Sequence, residues 1–549
     1  MRKPVILLMA VFVTSVSVCL AQADLPTDYL SPAFHAARRD SLRRRMPAHS
    51  VTVVFAYPAR TFSNDVSYPY HPNPDLYYFS GYREPNAVLL IFKDEQTAPD
   101  NTKYKDLFFI QRRDPQAEQW TGRRMGVDAV KKELGLSMVF DGAAFDTFPI
   151  DFAGAEKILF DKLPADVPDD ISDSADLFDL IAAFKRKAAL PPDYNPEVNS
   201  LLDLFDTYAT RANLTQVQNY IKKKAGGNEV LLGNALVQAA LQCSDSSSIT
   251  NLKQKVRGQR FSNAQYNQLV ASLREIKTPE EMVLLRKSIE ISSIAHAEAM
   301  KAIEPGMSEL ELQGLQEYIH KKLGAEYVGY PSIVGSGENG CVLHYEENTR
   351  TRIGQDMVLM DVGAEYHGYS ADVTRTVPSS GKFSPAQKAI YDLVYDAQEA
   401  VFKLCKEGTP FSALNAKATE VLANGLLQLG VIKDKKDITK YYPHGCSHFL
   451  GLDVHDAGNY DQALKENMVI TVEPGIYIPS NSPCDKKWWG IAVRIEDDVR
   501  VGKKAPELLS WLAPRKSEEV EKMAAQKSAL NNLVLPALPG GPPPSKKGF

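Results

Sequence analysis

The chain has 549 residues, with 63 Lys+Arg against 68 Asp+Glu, a formal charge of −5 and 44 % hydrophobic residues. That apolar content supports true cores and excludes wholesale disorder, while 33 Gly and 6 Cys exclude collagen-like and disulfide-scaffold classes. The near balance of charge offers no basic face, so no nucleic-acid partner is expected.

Arg2 and Lys3 precede an apolar run from Val5 to Leu20 and then Ala21-Gln22-Ala23. A charged start, an apolar middle and an A-x-A site read as a signal peptide over residues 1–23, cleaved near Ala23, with export to the periplasm or beyond. The run is 16 residues, short of the ~20 that span a bilayer, so no stable membrane insertion is expected. Cleavage would leave a charge of −7 and five Cys, at 243, 341, 405, 446 and 484, which cannot all pair and include no CxxC.

Residues 24–270 read as one mixed domain. Its β-rich runs (Val51–Phe55, Ala87–Phe92, Leu107–Ile110) are separated by Pro/Asn/Asp turns. An extra helical segment occupies about 166–255, broken at Pro191-Pro192, with a Ser-rich patch at Ser244–Ser248 that reads as a linker. Residues 271–525 form a second domain. Thr278-Pro279-Glu280-Glu281 is a capping box opening a helix to about Ile303, and Ser308 with Glu311 caps another that stops near Gly324. The order recurs about 100 residues later: Ser384 opens a helix to Gly408, and Ser412 begins one closed by Leu429-Gly430. Each helix pair precedes strands, which reads as a duplicated ααβ unit in an α/β (α+β) fold, with ordinary α/β alternation as the alternative. The tail, 526–549, is Pro/Gly-rich and reads as disordered.

Four segments of the second domain carry acidic and histidine side chains. Asp361 to Val373 reads as a hairpin, and a turn centred on Tyr366/His367 would set Asp361 directly opposite Asp372. Like charges across a strand pair are destabilising unless a cation lies between them; two Asp splayed into solvent is the other reading. His444, His448 and His455, three of the ten His, fall within twelve residues. Without a Glu in HExxH position and with Gly445 inside, this is a loop or strand supplying one ligand, not a zincin helix. Glu473 ends an apolar run before Pro474, and Ile491–Glu496 alternates so that Arg494 and Glu496 share a face. Two Asp, two Glu and one His without a thiolate suit two hard or borderline divalent ions, Mn²⁺ ahead of Zn²⁺ or Co²⁺. Two ions ~3.5–4 Å apart can bridge a hydroxide, which means hydrolysis.

These segments, with Val334–Tyr345, Val472–Tyr477 and the Arg494–Asp498 run, resemble the pita-bread metallopeptidases, specifically their aminopeptidase P branch. Asn64–Tyr70, Tyr77–Pro85 and Gln119–Arg124 resemble that family's N-terminal, creatinase-type domain. The resemblance implies a pita-bread catalytic domain with a pseudo-twofold. It implies Asp361, Asp372, His448, Glu473 and Glu496 as ligands of two metals, with Asp372 and Glu496 bridging. His344 and His455 would hold the substrate carbonyl, Glu473 would shuttle a proton, and Arg494 and His444 would support the ligands. Tyr477 falls in the family's Glu-Pro-Gly segment as a further substrate or supporting group. Trp120 resembles an aromatic that reaches a neighbouring subunit's site; a buried core Trp is the alternative. The activity implied is release of the first residue from peptides with Pro second, by a homo-oligomer (dimer or tetramer). An Xaa-Pro dipeptidase (prolidase) and an inactive pita-bread binding protein are the alternatives. The chain departs from the family at His71-Pro72, where Arg-Gln is common, which questions any contact there. The helical segment is also longer than the resemblance explains.

Overall fold

The computed structural model describes residues 27–532 except 172 and 174; the expected signal peptide lies outside them, as does the chain beyond 532. Ser50–Phe55 alternates branched side chains and is buried throughout, as a central strand must be. It pairs antiparallel with Val88–Thr97 and parallel with Lys157–Phe160. Lys103–Ile110 and Val139–Asp141 extend one edge, and Phe261–Ser262 the other, giving six strands. Alternation sends Val51, Val53 and Phe55 to a face covered by the helix Leu177–Ala188. Val54 and Leu89 point to the opposite face, under the helices Pro32–Arg45, Pro74–Ser80 and Asn263–Arg274. That second core runs on into the second domain through Tyr366, Tyr369 and Leu285, which pack with Tyr77 and Tyr78, so one apolar body joins the domains.

The extra helical segment separates two neighbouring strands of this sheet. After Leu177–Ala188, the helices Pro196–Tyr208, Leu214–Ala225, Ala235–Gln242 and Ser246–Arg257 close on their own apolar cluster. Ser244–Ser248 is no linker. Asp245 and Ser248 form a reciprocal capping box, so the serines open a helix.

In the second domain Thr278 caps Pro279–Ala302 with Glu281 closing the box, and Ser308 caps Glu309–Lys322. The repeat is looser. Ser384 caps Pro385–Phe402, six residues short of Gly408, because the chain turns so that Lys406 can bridge Gly502. Ser412 is the first helical residue of Ser412–Gln428 rather than its cap, and Phe411 precedes it with no side-chain bond. Each helix pair is followed by short antiparallel strands: Met357–Asp361 and Thr374–Pro378 in the first half, Val469–Val472 and Asp497–Arg500 in the second. A β-bridge from Thr374 to Glu496 and the buried ion pair of Arg375 with Asp497 join the halves. The packed chain continues past Gln526: Ser528 is buried and donates to Glu298, ahead of a short turn at Ala529–Asn532.

Candidate metal centre

The site forms where the two halves meet. Asp361 ends the strand Met357–Asp361, and its hairpin turns at His367-Gly368, both with positive φ. This moves the register by two from expectation: Tyr366 pairs with Tyr369 and Asp361 with Thr374. Asp372 is therefore Asp361's diagonal neighbour on the same face, not its direct partner. Gly363 makes the crossing possible, since a Cβ there would lie 1.9 Å from the Ala371 carbonyl oxygen.

Glu496 enters from the second half, held by its bridge and by the Thr374 hydroxyl, which donates to Glu496 Oε2 at 2.6 Å. His448 comes from a loop laid along the strand Val469–Val472, and Glu473 directly follows that strand: Thr471 N–H donates to the His448 carbonyl and Glu473 N–H to that of Cys446, each at 2.9 Å. The segment is a loop, as expected. Asp361, Asp372, His448, Glu473 and Glu496 all line one cavity of about 310 Å³, together with His344, His444, His455 and Arg494. Tyr477 is buried behind that wall and Trp120 lies away from it, 91 % exposed, which removes the buried-core alternative.

The polar links fix how each ring is presented. His448 Nδ1 donates to the Phe449 carbonyl at 3.0 Å, leaving Nε2 3.3 Å from Asp372 Oδ2 and 3.5 Å from Glu473 Oε1. One ligand atom each from Asp372, His448 and Glu496 lies within 4.8 Å of the others, a spacing that fits a shared cation. Arg494 Nη2 donates to Asp361 Oδ2 at 2.6 Å and Nη1 to the Tyr477 hydroxyl at 2.8 Å, which donates in turn to His444 Nε2 at 2.8 Å. His444 Nδ1 donates to the Gly445 carbonyl. Burial and then Arg494 lower its pKa to about 4, so it stays neutral as this chain requires.

The charge balance is the informative feature. Four carboxylates face Arg494 and His448, and burial followed by neighbouring carboxylate charge raises the pKa of Asp372 and, further, of Glu496. Burial also raises Glu473, against the opposing pull of His448. Burial would lower His448, but Asp372 and Glu473 carry it up to about 9. Buried carboxylates in this state lack positive charge, and divalent ions supply it. The donor set, carboxylate oxygens and one imidazole, fits divalent cations.

Several groups were not visible in the sequence. The Tyr330 hydroxyl sits 2.5 Å from Asp361 Oδ1 and 2.7 Å from Asp372 Oδ1, one hydrogen between two carboxylates. Asp372 N–H donates to Asp498 Oδ2 at 3.1 Å. Thr374 and Thr471 brace the ligands. No spacing marks Tyr330, because only the fold brings it to the hairpin; Asp498 lies in the Arg494–Asp498 run, and only the fold sets it against Asp372. At the departure from the family pattern, His71 Nε2 lies 2.8 Å from Glu365 Oε2, so that position does link the domains.

The family model of the aminopeptidase P N-terminal domain matches residues 35–159, and that of metallopeptidase family M24 matches residues 283–503. An Xaa-Pro aminopeptidase of Escherichia coli (strain K12) is 33 % identical over 495 residues, 88 % of this chain and 96 % of that protein. The solved E. coli aminopeptidase P with the inhibitor Pro-Leu superposes with a TM-score of 0.67 at 30 % identity, covering 90 % of this chain and 98 % of that one. A zinc-substituted E. coli aminopeptidase P in complex with product gives a TM-score of 0.69 at the same identity and coverage. The chain therefore belongs to metallopeptidase family M24, in its Xaa-Pro aminopeptidase branch, with an aminopeptidase P N-terminal domain ahead of a pita-bread catalytic domain.

Proposed function

We propose that the protein removes the N-terminal residue from peptides with Pro in second position, using two divalent ions held by Asp361, Asp372, His448, Glu473 and Glu496. The observation that carries this is the convergence of those five side chains, from four separate segments, on one cavity with His344 and His455. When bound, the ions supply an activated water and draw electron density from the scissile carbonyl. Oxygen-rich ligation favours Mn²⁺, while the zinc-substituted relative keeps Zn²⁺ in contention.

The chain's own residues do the rest. His344 and His455 present ring N–H groups toward the carbonyl oxygen, where charge develops. Glu473, its pKa raised by burial, takes a proton at a carboxylate oxygen and returns it to the departing proline nitrogen. An Xaa-Pro bond has no N–H, so recognition must run through the carbonyl and the free amino terminus. Arg494 holds Asp361, and the Tyr477–His444 link holds Arg494.

A prolidase needs a cation for the free proline carboxylate. Arg494 is the one Lys or Arg on this cavity wall among the described residues, and Asp361 and Tyr477 already engage it. That favours the aminopeptidase. We further propose export after cleavage near Ala23, and a homo-oligomer in which the exposed Trp120 meets a neighbour. Five free cysteines among the described residues fit a secreted chain that relies on core and metal for stability. Metal analysis with turnover of Ala-Pro against Ala-Pro-Ala tests the main reading; cleavage of the dipeptide alone overturns it.

A further inference from the structure

Beside the metal cavity lies a larger groove of about 1070 Å³, and His455 lines both. The loop 453–465 of the catalytic domain lines one side, the helix Asn263–Arg274 runs along the groove, and the helical segment, which falls outside both matched family regions, contributes a further wall. The helix Pro196–Tyr208 packs Val198, Leu201, Leu202 and Phe205 into its own cluster, while Ser200, Asp203 and Thr207, spaced three and four apart, face the groove. At its end the Tyr208 hydroxyl donates to the Asp461 carboxylate, tying the helical segment to the loop that carries His455.

The groove wall holds seven carboxylates against four Lys and Arg side chains. Arg257 pairs with Asp206, Lys465 with Glu275, and Arg274 with Asp75 and Asp453. Asp161, Asp203 and Asp461 have no Lys or Arg partner among the described residues; Asp203 accepts only an amide hydrogen bond from Gln268, at 2.9 Å. Meanwhile the 310 Å³ cavity is at the small end for a bound organic ligand, so a longer peptide must leave it. The groove that shares His455 is a contiguous exit.

Resting on the Xaa-Pro aminopeptidase reading, we propose that this groove binds the peptide downstream of the proline and that its unmatched carboxylates favour Lys or Arg in that stretch. The helical segment is then a specificity element, not an accretion. Attraction between solvated charges yields a few-fold per contact and fades with salt.

The test uses the full-length, metal-loaded enzyme on Ala-Pro-Ala, and on two heptapeptides beginning Ala-Pro that differ by Lys or Glu at positions four and six. At low ionic strength KM for the Lys peptide should be about 5- to 10-fold below that for the Glu peptide, with similar kcat. The gap should collapse in 0.5 M NaCl and in the double variant Asp161→Asn/Asp203→Asn, which should handle Ala-Pro-Ala as the parent does. Equal KM values for the two heptapeptides, or a preference that survives the double variant at low salt, overturn the proposal while leaving the aminopeptidase reading intact. Should the double variant not fold, the salt titration of the parent decides. Failure of the parent on Ala-Pro-Ala overturns the reading, and the proposal with it.

Discussion

Two buried charged clusters lie close together in this protein, and they are balanced in opposite ways. Around Asp456 the chain supplies its own cations: Lys277 Nζ is 2.6 Å from Asp456 Oδ2, and Arg274 bonds Asp456, Asp453 and Asp75. Burial alone would raise Asp456, but Arg274 and Lys277 outweigh it and hold the carboxyl below its ordinary range. In the metal cavity, burial and then neighbouring carboxylates raise Asp372 and Glu496 instead. The first cluster is an internally compensated joint between Asn263–Arg274, Pro279–Ala302 and the loop bearing His455. The second sets only Arg494 and His448 against four carboxylates on its wall and is left short of positive charge. A buried anionic site left short of cations by its own chain is a site built for metal.

The largest effect should come from the uncompensated cluster. Asp372→Ala removes the ligand nearest His448 and should lower both bound metal and Ala-Pro-Ala turnover, the latter by ~10³-fold or more, about 4 kcal/mol of barrier. Elemental analysis alongside kinetics checks it; full metal with normal turnover would break the contrast. Lys277→Met leaves Asp456 half-paired in the interior and should cost about 3–5 kcal/mol of stability by urea unfolding. Its metal stoichiometry should be unchanged, since Lys277 is not on the cavity wall.

A third, smaller cluster sharpens the comparison through pH. His367 is buried between Glu326 and Asp28, with Tyr29 stacked on its ring at 3.7 Å. Burial would raise Glu326, but the hydrogen bonds from His367 prevail and lower its pKa to about 2. A depressed carboxylate stabilises the fold fully above its ordinary pKa of ~4.3, and that stability is lost as pH falls toward 2. Glu326→Gln should therefore cost about 1–2 kcal/mol at pH 7, allowing for partial exposure, and flatten the loss between about pH 5 and 2. Denaturant midpoints at several pH values measure it; an unchanged acid limb would place the compensation elsewhere. The smallest stability effect belongs to Trp120→Ala, within ~0.5 kcal/mol because the ring is exposed. A rise in KM without that loss would mark a subunit contact; an unaltered KM removes it.

Much of this was legible because local rules act locally. Thr278 with Glu281, and Ser384 with Gln387, cap helices at their expected positions, since a cap needs only three residues of context. Val51–Phe55, Ala87–Phe92 and Leu107–Ile110 are strands for the same reason. Ser244–Ser248 reads both ways because serines cap helices as readily as they fill linkers, and the following helix buries Ile249 and Leu252 in the helical segment's own core. The five ligand candidates, His344, His455 and Arg494 stood out by residue type and motif, and the fold brings them to one cavity.

What the sequence determined by itself was the inventory: which residues could ligate, which could donate, and that no thiolate was among them. The tertiary structure decided the rest. The two-residue shift that makes Asp372 a diagonal neighbour follows from the His367-Gly368 turn and from the space left at Gly363. Tyr330's place between two carboxylates depends on strands remote in sequence meeting at one seam. The joint use of His455 by cavity and groove depends on where the helical segment docks. Charge compensation, finally, is a property of distances between segments, and no linear pattern encodes which carboxylates find an Arg or Lys and which are left for a metal.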